Sequence, residues 1–148
     1  VKKVLLIGIV FSVLCGCATT PVSVRDAKQI TKDRLLAFQT TGADKTATLT
    51  VIRDEGILGS GCYYGLWINQ TLAARVDVAE IATFFVEPGE ILLRIGRDPL
   101  GKGLCGLEQD NWTQRETIMK PGDQKAFRMT IDENGKLDIF RTDIGQTK

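Results

Sequence analysis

Apolar and polar residues change their rhythm twice along the 148-residue chain. Val4–Leu14 is an almost unbroken apolar run, closed by Cys15, Gly16 and Cys17. Between Arg25 and Gln39, Ala27, Ile30, Leu35 and Phe38 fall near helical spacing, with Asp26 early and Gly42 beyond the end. That spacing predicts one amphipathic α-helix packed on the domain by its apolar stripe. From Thr46 onward the period becomes two, as in strands. Thr46–Arg53 alternates Ala47, Leu49 and Val51 against Thr48 and Thr50, and Gly61–Asn69 and Leu72–Val76 join at Asn69-Gln70-Thr71 as a hairpin. Ala82–Val86 and Ile91–Ile95 flank Glu87-Pro88-Gly89-Glu90, and Thr113–Met119 and Lys125–Ile131 flank Lys120-Pro121-Gly122-Asp123. Proline at its preferred φ followed by glycine at positive φ makes both of these tight turns. In Lys125–Ile131 the residues Phe127, Met129 and Ile131 face one way, and Arg128 and Thr130 the other. Asp132-Glu133-Asn134-Gly135 turns into a last strand over Leu137–Arg141, and Ile144–Lys148 reads as a frayed tail. About eight short strands with regular turns predict an all-β fold, an antiparallel β-sandwich with one N-terminal α-helix. A small barrel is the second architecture.

The run Val4–Leu14 is too short to span a bilayer, which takes about 20 residues. Lys2 and Lys3 before it and small residues after it follow the layout of a bacterial secretory signal. Leu14-Cys15-Gly16-Cys17 resembles the lipobox of bacterial lipoproteins. The resemblance implies removal of residues 1–16, with Cys15 among them, and lipidation of Cys17 as the new N-terminus. Residues 17–24 then read as a short tether and residues 25–145 as a single domain. One acyl chain anchors only marginally, whereas the two or three chains of such lipoproteins hold the protein at the membrane. Ala18 stands where an aspartate would favour the inner membrane, which points to the outer membrane and a domain facing the periplasm.

This address changes how charge and cysteine content are read. The whole chain has 19 basic and 18 acidic side chains, and losing Lys2 and Lys3 removes the slight basic excess. No basic field remains to attract nucleic acid. Of the four cysteines, Cys15 leaves with the signal and Cys17 carries lipid, so Cys62 and Cys105 remain. An oxidising compartment predicts that they form a disulfide. The chain has no histidine, which excludes Ser-His-Asp and Cys-His catalysis and the usual histidine-containing zinc sites. No motif calls for a metal or a cofactor.

Several segments could carry function. Gly56-Ile57-Leu58-Gly59-Ser60-Gly61 is glycine-rich but feeds a strand, not a helix N-terminus, so it is not a phosphate cradle. Gly101-Lys102-Gly103-Leu104-Cys105-Gly106 is a second such loop, and a Cys62–Cys105 bridge would bring the two together as a binding rim. Alternation places Cys62, Tyr64, Leu66 and Ile68 on one strand face and Tyr63, Gly65, Trp67 and Asn69 on the other. Tyr63 and Trp67, of types favoured at interfaces, join Lys102 as candidate binding residues, unless the N-terminal helix covers them. Trp112 stands alone and reads as core. The acid pairs Asp54-Glu55, Asp77 with Glu80, and Asp132-Glu133 fall at strand ends and turns, where carboxylates are solvated. They leave room for nothing beyond a carboxylate-based hydrolase.

Residues 46–98 resemble a family of small bacterial lipoproteins of unknown function, through Ile68-Asn69-Gln70, Ala82–Val86 and Glu87-Pro88-Gly89-Glu90. Gln70 departs from the glycine usual in that hairpin. The resemblance implies a sandwich fold and a lipoprotein address, with no enzyme activity. The chain therefore reads as an anchored, non-enzymatic binding or structural module, with another envelope protein or the cell wall as partner. An immunity or inhibitor lipoprotein acting against a periplasmic toxin is the alternative.

Overall fold

A computed structural model of the chain describes residues 19–143. The apolar run, Cys17 and the tail from Ile144 lie outside the described residues. Among the described residues nine strands follow in order: β1 (Lys28–Gln29), β2 (Ala47–Arg53), β3 (Tyr64–Ile68), β4 (Thr71–Val76), β5 (Glu80–Val86), β6 (Gly89–Arg97), β7 (Trp112–Met119), β8 (Gln124–Ile131) and β9 (Leu137–Thr142). They form a five-stranded sheet, β1-β5-β2-β8-β9, and a four-stranded sheet, β4-β3-β6-β7. The all-β expectation holds. Most neighbours are antiparallel, and β1–β5 and β2–β8 are parallel.

Period-two alternation sends rows of side chains from both sheets into a single core. Leu49 and Val51 of β2, Phe84 of β5, and Phe127 and Met129 of β8 bury with Leu66 and Ile68 of β3 and Leu93 and Ile95 of β6. Opposite rows of side chains from two sheets interdigitate this way in sandwiches. The turns follow their residues. Gly89 and Gly122 take φ of +140° and +81° after their prolines. Asn69 and Gln70 both have positive φ, at 47° and 69°, the geometry of a two-residue type I′ hairpin. Asparagine tolerates that region, and here its Oδ1 also accepts from the Leu92 backbone N–H at 2.9 Å.

The predicted N-terminal helix is not formed. Residues 25–39 run as an extended strap across the edges of both sheets, from β5 to β4, with only a short 3-10 turn at Lys32–Arg34. The reason lies in where the backbone groups find partners. Lys28 and Ile30 donate to the carbonyls of Ala79 and Ile81, Leu36 and Ala37 donate to Ala73, and Phe38 accepts from Phe85. Sheet-edge bonds replace helical ones, and Ile30 still reaches the core.

Residues 19–24 are not a loose tether either. Thr19 donates from its backbone to Ile131, and Thr20 pairs with Glu55. Val22 is buried beside an ion pair between Arg128 and Asp54, and Arg128 also donates to the Val22 carbonyl at 3.1 Å. Arg128, read from alternation as outward-facing, is covered by this segment.

Candidate functional site

The predicted disulfide is present. Cys62 and Cys105 are bonded across 43 residues with their Cα atoms 5.4 Å apart. It staples the glycine-rich loop before β3 to the one after β6, as the sequence suggested. Between them opens a cleft of about 580 Å³, lined by Gly61, Tyr63, Arg75, Asp77, Asp98, Leu100 and Lys102 among others. That volume is in the range of small-ligand and peptide sites.

Buried arginines build the walls. Arg53 continues the inward row of β2 and is buried. Its guanidinium donates to the carbonyls of Cys62 (2.9 Å), Val76 (2.8 Å) and Gly59 (2.8 Å), and lies 4.4 Å over the Tyr64 ring. One side chain thus fixes the loop before β3 and the end of β4. Burial pulls its pKa down to about 10, so it stays charged at neutral pH.

Tyr63 stands on the outer side, at the floor of the cleft. Arg34 from the strap lies 4.6 Å over its ring, and Arg75 of β4 lies 5.1 Å over it. Each guanidinium is locked by a carboxylate. Arg34 makes a two-pronged pair with Glu80 at 2.6 and 2.5 Å, while Arg75 holds Asp98 through Nε and Nη2. Such forks fix geometry as well as charge. Among the described residues, Arg75 Nη1 has no hydrogen-bond partner. Together with the exposed Lys102, it offers donors to the cleft, while Asp77 supplies an acceptor.

The second loop is built by close approach. Gly101 donates to Asp98 at 2.9 Å, and a Cβ there would meet the Cys105 carbonyl carbon at 2.8 Å. Asp98 is buried and also accepts from the Leu100 N–H at 3.0 Å. Its carboxylate therefore holds both Arg75 and the start of the loop.

The structure brings Tyr63 and Lys102 together in this cleft but not Trp67. Trp67 lies on the outer face of the four-stranded sheet. There Arg94 stacks between it and Trp112, 5.0 and 4.7 Å from the two rings. Trp112 is 46% exposed, so it is not the core residue its isolation suggested. Its strand is at the sheet edge, and β7 exposes most of its residues. The strap, not a helix, covers part of the Tyr63 face through Arg34.

Of the acid pairs, Asp54 is bound by Arg128 and Glu80 by Arg34. Asp132 caps its own turn by accepting from Asn134 and Lys136 at 2.9 Å. Only Asp77 reaches the cleft. Sequence reasoning missed Arg34, Arg53, Arg75 and Asp98. For Arg53 a signal existed, a charge in phase with the core-facing row Ala47, Leu49 and Val51. Compared with protein family models, with curated proteins and with solved structures, the chain matches none.

Proposed function

We propose that this chain is an envelope lipoprotein, held at the membrane through Cys17, whose β domain binds another envelope protein in the disulfide-stapled cleft. The observation that carries the reading is the cleft itself. Its floor is a tyrosine set by two carboxylate-locked arginines, and its lip carries Lys102 and the exposed Leu100. A rigid aromatic floor with donors and an acceptor at the edge suits an extended polypeptide segment, which offers backbone groups and side chains together.

The test is photo-crosslinking in cells with the full chain, from residues placed at Tyr63, Lys102 and Trp67. A shared product from positions 63 and 102, absent from position 67, supports the cleft. The same product from position 67 alone moves the binding surface to the outer face and removes this reading.

A further inference from the structure

We propose that the end of the sandwich carrying Ile57 and Leu104 rests on the lipid surface, so that the cleft opens along the membrane. The inference rests on the reading of Cys17 as the lipidated residue.

Two independent features converge on this end. The first is apolar exposure. Ile57 is 84% exposed and Leu104 82%, more than any other large apolar side chain among the described residues. They occupy the two loops that the Cys62–Cys105 disulfide joins. Leu100 and Leu107, also exposed, belong to the second loop. Single exposed apolar residues are ordinary, but a cluster around one staple marks a contact surface.

The second feature is where the chain enters the domain. Thr19 donates to the Ile131 carbonyl at 3.0 Å, and Thr20 pairs with Glu55. Thr19 also packs on Gly56, where a Cβ would meet its Cγ2 at 2.8 Å. Ile57 is the next residue. Cys17 lies two residues before Thr19, so its Cα can be at most about 7 Å away. With Thr19 docked, no slack remains to hold the domain clear of the bilayer, and a lipid on Cys17 brings the Gly56–Cys62 loop to the interface. Apolar side chains that enter the headgroup region add to the anchor, and Lys102 beside them favours an anionic surface. The exposed Glu55, Asp110, Asp132 and Glu133 oppose it, so the apolar side chains and not charge carry the contact, while Glu108 is engaged by Arg97 at 2.7 Å.

The full-length lipidated protein is reconstituted in phosphatidylethanolamine–phosphatidylglycerol vesicles containing brominated lipid, which quenches tryptophan at membrane depth. Ile57→Trp and Leu104→Trp are compared with Ile118→Trp, an exposed position at the far end of β7. Trp67 and Trp112 of the native chain set the baseline. Emission added at positions 57 and 104 is expected to shift to the blue and to lose most of its intensity to the bromolipid. Emission added at position 118 is expected to stay unquenched. Equal quenching at all three positions, or none at 57 and 104 in protein that floats with the vesicles, overturns the orientation while leaving the anchor standing. Protein that does not float with the vesicles overturns the anchor, and the orientation with it.

Discussion

Arg75 holds both carboxylate oxygens of Asp98, with Nε 2.9 Å from Oδ1 and Nη2 2.5 Å from Oδ2. The pair joins the outer side of β4 to the first residue after β6, and both side chains line the cleft. Asp98 is almost fully shielded, with 2% of its side chain exposed, against 21% for Arg75. Removing the arginine therefore strands a buried carboxylate. Arg75→Met is expected to destabilise the domain by about 3 kcal/mol, since unpairing a buried ion costs more than the pair contributes. Urea unfolding measures it. A loss within error of zero would mean that water reaches Asp98 freely.

Arg53 makes a different kind of contact, since its hydrogen bonds go to three carbonyls and to no carboxylate. A planar fork can reach them together, and a lysine ammonium cannot. Both Arg53→Met and Arg53→Lys are expected to loosen the Gly59–Cys62 segment, seen as faster amide hydrogen exchange there. Rescue by lysine would show that charge alone matters.

Closing 43 residues with the Cys62–Cys105 bond constrains the unfolded chain, worth about 4 kcal/mol in the chain-entropy account. The paired Cys62→Ala and Cys105→Ala variant is expected to melt at a lower temperature by calorimetry. It should also lose crosslinking from Lys102 before it loses the fold, because the staple sets the cleft.

The strands were legible because alternation and Pro-Gly turns are local signals. β2, β7 and β8 lie close to their sequence-based spans for that reason, while β6 runs longer at both ends. The strap was not, because Ile30 and Leu35 can be buried by a helix or by an extended chain with equal ease. The choice is made by the edge at β5, where the open carbonyls of Ala79, just before the strand, and Ile81 accept from Lys28 and Ile30. Lys102 and Tyr63 could be placed together only through the disulfide, whereas Trp67 shares a strand face with Tyr63 but packs against Arg94, outside the cleft lining. Asp98 left no trace in the pattern, since its burial depends on Arg75 from another strand.

Asp123 accepts from the Lys120 backbone N–H at 2.9 Å and closes the second Pro-Gly turn. That bond, with Lys125 nearby, lowers its pKa below the ordinary 3.8. A carboxyl whose folded value is depressed adds stability that is full above its unfolded value and is lost as pH falls through the folded one. The advantage of the native protein over Asp123→Asn should therefore be constant above about pH 4 and shrink below it. Paired urea titrations across that range measure it, and an advantage that grows on acidification would contradict the assignment.

The most direct measurement of the cleft reading is the crosslink from Lys102 in cells, made in the native chain and in Asp77→Lys. Asp77 lines the cleft and its carboxylate accepts from the neighbouring Val78 N–H; its charge also faces Arg34 and the buried Arg53, so the fold of the variant is checked by circular dichroism alongside. The account expects a defined product from the native chain that disappears in Asp77→Lys, with the protein still folded and membrane-bound. The same product at undiminished yield from Asp77→Lys would contradict it.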